Sequence, residues 1–216
     1  MTLCTLQERG LFMGNLMLKD LFLNRYSILL SFVVFALTLA NGFNTVYCFF
    51  FTLLFLIGTF TQYDGFNKVD LLLNALPYSR KQIVSSQYIG VLVCITSMLI
   101  VLSGALYVIN LLFDQFFSLL SLKSIGLLYA VALLDAAFFV PISYIIPPKY
   151  ALISFGIFGL LTGIIIVPAM RFYENYVLKL IADYGYNLYY ISGGIAILLF
   201  LLSWSFTIQI YKRKDV

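Results

Sequence analysis

Long apolar runs separated by short polar stretches make up most of this chain. The runs are continuous rather than alternating, which indicates helices and argues against a β-barrel. At about 20 residues per membrane-spanning helix, the length of 216 residues has room for six spans with short loops. The predicted spans are Tyr26–Ala40, Val46–Thr61, Gln82–Leu112, Ile125–Ile146, Ala151–Met170 and Tyr189–Ile210.

The segment Asn67–Gly90 is the one substantial polar interruption in the first half of the chain. Its first part has apolar residues at the spacing of one helix face, and Pro77 ends this helix because proline removes a backbone donor. Ser79 and Gln82 then have the spacing of a capping box, which predicts that a new helix begins there. We call residues 63–88 the elbow. A short amphipathic helix, a breaker and a capped membrane helix suit a part that receives force from outside the membrane.

The third predicted span is unusually long. About 30 residues at about 1.5 Å per residue give about 45 Å, which exceeds the hydrocarbon core of a bilayer. We therefore expect this helix to tilt or to project beyond the membrane on the side of the elbow.

Residues 1–25 do not have the pattern of a secretory signal, because Glu8 precedes the apolar part and Lys19-Asp20 interrupts it. Leu11–Leu23 is compatible with a helix lying in the cytoplasmic interface, and equally with an extension of the first span. Met13 and Met17 leave a shorter true start open.

Composition narrows the class of protein. The chain is 62% hydrophobic and 10% charged, which is typical of a polytopic membrane protein and not of a soluble domain. It contains no histidine, which excludes His-dependent triads and His-ligated zinc sites, and its three cysteines have no paired spacing. We expect an all-α membrane protein with a single transmembrane domain over residues 1–216 and no metal or cofactor on this chain.

The distribution of charge orients the predicted bundle. With the N-terminus inside, ten basic residues are cytoplasmic and three are outside, which is a strong positive-inside bias. The bias predicts cytoplasmic termini and a cytoplasmic elbow. It also explains the net charge of +4 without nucleic-acid binding. The inner set is Arg9, Lys19, Arg25, Lys68, Arg80, Lys81, Lys149, Lys212, Arg213 and Lys214, and the outer set is Lys123, Arg171 and Lys179.

Asp135 is the only acidic residue inside a predicted span. Intramembrane carboxylates are unfavourable and usually face a bundle interior or an aqueous path. One hypothesis is that Asp135 lines the path of a transported substrate. The other is that Asp135 is a protonated or hydrogen-bonded structural aspartate at a helix–helix contact.

The elbow resembles a segment of a known family. Asn74-Ala75-Leu76-Pro77-Tyr78-Ser79-Arg80-Lys81-Gln82-Ile83-Val84, followed by Ser86-Gln87-Tyr88, resembles the LP-x-[ST]-R-x-x-[IV]-V-x-[AGS]-[RK]-[YF] segment of bacterial type-2 ATP-binding-cassette export permeases. The pattern departs at Gln87, where family members usually carry a basic residue, so the resemblance implies that one phosphate- or partner-facing charge is missing here. Pro141, Tyr144, Lys149 and Ala151 resemble the pattern at the end of that family's fourth span.

This resemblance implies a half-transporter in the bacterial cell membrane. Two permease chains, identical or related, would sit on cytoplasmic ATPase subunits that bind ATP and magnesium, since the chain has no nucleotide-binding motif of its own. The elbow would be the coupling helix seated in the ATPase. Small permeases of this family that lack a large external domain resemble exporters of amphipathic peptides such as phenol-soluble modulins. The implied ATPase-contact residues are Val69, Leu72, Leu73, Asn74, Leu76, Pro77, Tyr78, Ser79, Arg80, Lys81 and Gln82.

Two other classes of protein remain open from the sequence. A non-transporting membrane scaffold or immunity protein would use the same spans without an ATPase. An ion-coupled secondary transporter would be expected to have paired midplane charges or inverted repeats, and the sequence offers only Asp135.

Overall fold

A computed structural model describes residues 22, 24–66, 79–112, 117–145 and 186–213 of the chain. These residues form five helices and no strand. The helices are α1 (Arg25–Ala40), α2 (Thr45–Phe66), α3 (Arg80–Leu112), α4 (Leu122–Ile145) and α5 (Tyr186–Arg213).

Helix ends follow the polar residues of the sequence. α4 begins three residues earlier than predicted because Ser121 caps it, with the Ser124 backbone N–H donating to the Ser121 Oγ at 3.2 Å. Asn44 caps α2 in the same way, through a 3.3 Å bond from the Val46 backbone N–H to its Oδ1. Between α1 and α2 the backbone turns at Gly42, which has a φ of 76°.

The predicted third span is confirmed as one long helix. α3 contains 33 residues, so it extends about 50 Å at the rise of an α-helix. Three helical stretches within the described residues are long and apolar enough to cross a membrane: Arg80–Leu112, Ser124–Ile145 and Ile191–Arg213. Two shorter apolar stretches are Arg25–Ala40 and Thr45–Thr61.

Side-chain contacts give the direction of each helix. α1 and α2 form an antiparallel hairpin in which the rings of Phe35 and Phe49 meet edge to face at 5.1 Å. α4 and α5 run in parallel, because Ala137 contacts Ser203 and, about two turns further along both helices, Tyr144 contacts Tyr211. A six-span chain requires its fourth and sixth spans to point the same way, as α4 and α5 do.

The bundle therefore has two distinct ends. The turn end contains the α1–α2 turn and the 117–121 loop, which are joined by a 2.9 Å hydrogen bond between the Thr45 and Ser118 hydroxyls. The basic end contains the start of α3 and the end of α5. Described basic residues at the basic end are Arg25, Arg80, Lys81, Lys212 and Arg213, whereas Lys123 lies in the first turn of α4 near the turn end.

Apolar side chains are distributed between a core and an exposed belt. The buried residues of α2, α3 and α4 form a continuous cluster that α5 joins through Ala196, Phe200 and Tyr211. On α5 many large apolar side chains are exposed, as suits contact with lipid. Several predictions lie outside the described residues: the interfacial helix within 1–21, the coupling helix at 67–78 and the fifth span at 151–170.

Candidate functional site at the joint of helices α3, α4 and α5

The described end of the elbow is a closed capping box, as predicted. The Ser79 backbone N–H donates to the Gln82 Oε1 at 2.9 Å, and the Gln82 backbone N–H donates to the Ser79 Oγ at 3.3 Å. These bonds satisfy two backbone donors that a helix start leaves without partners. α3 therefore begins sharply at Arg80, within the elbow.

Arg80, the first residue of α3, binds the last turn of α5. Its Nη1 donates to the carbonyl oxygens of Tyr211 at 3.3 Å and Lys212 at 3.0 Å. Carbonyls at a helix C-terminus lack intrahelical partners and carry a partial negative charge, which a guanidinium complements. The arginine of the elbow motif thus makes an intramolecular contact 131 and 132 residues away in sequence.

Tyr88, two turns further along α3, is fully buried against α5. Its hydroxyl lies 2.8 Å from both the Ser203 Oγ and the Thr207 Oγ1. The Tyr88 ring stacks on Trp204 with centroids 5.6 Å apart and an interplanar angle of 5°. Phe200 meets the same ring edge to face at 5.2 Å.

Further contacts extend this joint to α4 and back to the first turns of α3. The Trp204 Nε1 donates to the Ser85 Oγ at 3.2 Å, and the Ser203 Oγ donates to the Ala137 carbonyl oxygen at 2.6 Å. We use the name joint for Arg80, Ser85, Tyr88, Ala137, Ser203, Trp204, Thr207 and Tyr211. It links three helices within the half of the bundle that includes the basic end.

Gln87 is buried, which corrects the interpretation drawn from its position in the motif. The resemblance suggested that a partner-facing basic charge is missing at this position. Its side chain is 3% exposed, and its Oε1 has no hydrogen-bond partner among the described residues. A neutral amide at this position avoids placing a charge inside the bundle.

A shallow groove marks the turn end. It has a volume of about 450 Å³ and is lined by Leu39, Ala40, Gly42, Phe43, Asn44, Thr45, Phe117 and Ser118. The loop that forms one wall is fixed by Asn110, whose Nδ2 donates to the Phe117 carbonyl at 2.7 Å and whose Oδ1 accepts from the Phe117 N–H at 2.9 Å. This groove contains no charged residue in its lining.

Asp135 is partly buried in the middle of α4. It precedes Ala137, the α4 residue of the joint, by two positions. Ala132 and Phe139, three residues before and four after Asp135, are 2% and 7% exposed, whereas Phe138 is 66% exposed, so Asp135 lies at the border between the buried and the exposed sides of α4.

The predicted contacts with an ATPase stay a prediction, because the structure contains a single chain. Val69 to Tyr78 lie outside the described residues, while Ser79, Arg80 and Gln82 take part in the contacts given above and Lys81 is exposed. No group of three or more metal-binding side chains occurs in the described parts of the chain. Sequence reasoning missed the partners of Tyr88, although Ser203 and Thr207, four residues apart in an apolar helix, are a detectable signal.

The chain is similar to a known protein family. The model of the family described as ABC-2 family transporter protein matches residues 15–212, nearly the whole chain. No curated protein and no solved structure matches it.

Proposed function

This chain belongs to the ABC-2 family of transporter proteins, and from that premise we propose that it is the permease of an exporter driven by a cytoplasmic ATPase. Membership makes it a multi-pass membrane permease of an ABC transporter. Such permeases are typically non-enzymatic and work with an ABC ATPase. Export, the role of the elbow and the dimeric assembly are our proposals beyond that.

The observation that carries the proposal is the position of the elbow motif. In its described part, a closed capping box at Ser79 and Gln82 begins α3, so the elbow continues directly into a rigid helix. Closure of an ATP-bound ATPase dimer would displace the preceding helix, and α3 would transmit that displacement into the bundle. An inward-to-outward rearrangement would follow, biased by ATP binding in the partner.

The difference between the two ends of the bundle supports a proposed orientation in the membrane. Four basic residues meet at the starts of α1 and α3 and the end of α5, in addition to Arg80. The positive-inside rule places that end in the cytoplasm, where an ATPase has access to it. Both chain termini would then be cytoplasmic and the groove at the turn end would open outside.

Asp135 supports a path or an interface along α4. A carboxylate at the border of the exposed face of α4 is unfavourable against lipid, so it is expected to face protein or water. We propose that a second permease chain packs near this face and that Asp135 lines the space between the chains. The substrate class, an amphipathic peptide, rests on analogy with small permeases of this family that lack a large external domain, and not on any residue of this chain.

Co-purification from the native membrane tests the class of protein. We expect a cytoplasmic ATPase in stoichiometric amount with the tagged full-length chain. Its repeated absence under mild detergent conditions would support the non-transporting scaffold instead.

A substitution in the elbow tests its coupling role. Replacing Leu73 by aspartate should uncouple ATP hydrolysis from export of a fluorescent amphipathic helical peptide in proteoliposomes. Leu119→Asp is the matched control, because Leu119 is exposed in the loop at the opposite end. Unchanged export by the Leu73 variant would disprove the coupling role.

A further inference from the structure

Arg80 connects the elbow to a helix other than the one that it begins. The two carbonyl oxygens that accept from its Nη1 belong to the final turn of α5, at 3.0 and 3.3 Å. We infer that Arg80 is a positioning residue that transfers displacement of the elbow to α5. This inference rests on the proposed function, in which α3 transmits the displacement of the elbow. It adds that α5 moves together with α3.

An arginine suits this contact for chemical reasons. Its guanidinium stays charged and offers several donors in a fixed plane, so it can serve two neighbouring carbonyls at once. Bonds from a charged donor are stronger than those between neutral groups. The last carbonyls of a helix also present the negative end of its dipole.

A second attachment makes the connection stiff. Tyr88 lies eight residues beyond Arg80, which is about 12 Å along α3. Its hydroxyl is 2.8 Å from Ser203 and Thr207, and its ring stacks on Trp204. Because Arg80 and Tyr88 contact α5 at two positions along its length, these contacts oppose both sliding and rotation of α3 against α5.

Contacts continue from α5 to the helix that carries Asp135. Ser203 bonds the Ala137 carbonyl at 2.6 Å, and Tyr211 packs edge to face on Tyr144 at 5.1 Å. A displacement entering at Arg80 therefore reaches α4 through groups in direct contact. These contacts give a continuous path from Arg80 to α4. Whether displacement follows this path is decided by measuring the coupling between the elbow and the turn end.

The experiment measures an ATP-dependent distance at the turn end, which requires no knowledge of the substrate. Asn41 and Leu119 are exposed there and accept spin labels, in a background where Cys4, Cys48 and Cys94 are alanine. The full chain, bound to the ATPase that co-purifies with it, is compared without nucleotide and with ATP and vanadate. Arg80→Gln should reduce the equilibrium constant of the ATP-induced shift about tenfold, which corresponds to about 1.4 kcal/mol.

Arg213→Gln is the matched control. It removes the same charge from the same end of the bundle, but its side chain is exposed and the contact of Arg80 is to the backbone of Tyr211 and Lys212. We expect its shift to stay within about twofold of the unsubstituted chain, since surface charges contribute little.

A chemical rescue separates transfer of motion from a contribution to folding. Arg80→Cys with Lys212→Cys is bridged by a short bifunctional maleimide, and the spin labels at 41 and 119 are then carried by a genetically encoded ketone side chain so that no other thiol reacts. The bridge should restore the shift that Arg80→Cys alone loses. An Arg80→Gln shift equal to that of the unsubstituted chain would overturn the inference. So would a loss of ATPase affinity in Arg80→Gln large enough to account for the reduced shift. If the unsubstituted complex shows no ATP-dependent shift, the proposed function itself fails.

Discussion

The Tyr88 hydroxyl lies 2.8 Å from the Ser203 Oγ, and Ser203 in turn donates to the Ala137 carbonyl at 2.6 Å. Thr207, also 2.8 Å from Tyr88, is 2.9 Å from the Ser203 carbonyl. The hydroxyl groups of Tyr88, Ser203 and Thr207 supply three hydrogens for these four short oxygen–oxygen contacts. At any time, one of the four contacts therefore has no hydrogen between its two oxygens. The joint has alternative hydrogen-bond arrangements within one packing geometry, which is compatible with a connection that must survive movement.

Replacing Tyr88 by phenylalanine tests the hydroxyl separately from the ring. Stacking on Trp204 is kept, and the bonds to Ser203 and Thr207 are lost. We expect the free energy of unfolding in detergent micelles to fall by about 0.5–1.5 kcal/mol. Tyr107→Phe is the control, because Tyr107 lies on the same helix and is 56% exposed. Equal effects of both substitutions would contradict a specific role for the joint.

The capping box at the start of α3 leads to a second prediction. Ser79→Ala removes the Oγ that accepts from the Gln82 N–H, so helix stability should fall by about 0.5–2 kcal/mol. Hydrogen exchange in the first turn of α3 should accelerate, while exchange in the middle of the helix stays unchanged. Ser205→Ala, an exposed mid-helix change on α5, should leave exchange at α3 as it was. Unaltered exchange in the Ser79 variant would show that the cap is unimportant.

The helices were predictable from the sequence, whereas their contacts were not. Where a helix begins or ends depends on residues close by in the sequence, such as the capping residue Ser79 at the start of α3. The last residues of α1 and α3 are Ala40 and Leu112, as predicted. The bond from Arg80 to α5 joins residues more than 130 positions apart. In a membrane helix the lipid-facing side is as apolar as the core, so the pattern does not reveal which face is buried. Gln87 shows the consequence, since a position interpreted as partner-facing is part of the interior.

Gly42 at the α1–α2 turn leads to a prediction about stability, and its control substitution is expected to change stability in the opposite direction. Gly42 has a φ of 76°, and a Cβ there would meet no atom within 4 Å, so only the backbone conformation is at issue. Gly42→Ala should destabilise the protein by about 1–2 kcal/mol. Gly104→Ala, in the helical part of α3 and with equally open surroundings, should instead stabilise it by about 0.5–1 kcal/mol. Thermal unfolding of the purified variants measures both, and two changes of the same sign would refute this explanation of the turn.

Asp135 distinguishes a transport path from a purely structural carboxylate. Asp135→Asn keeps the size and the hydrogen-bonding ability of the side chain while removing its charge, so a structural role tolerates it. If the carboxylate lines the path, export of a fluorescent amphipathic helical peptide by proteoliposomes should fall about tenfold, and Asp135→Glu should retain part of the activity. ATP hydrolysis without peptide should be unchanged in both variants, because the charge lies far from the elbow along α4. Full transport by the Asn variant would assign Asp135 to helix packing.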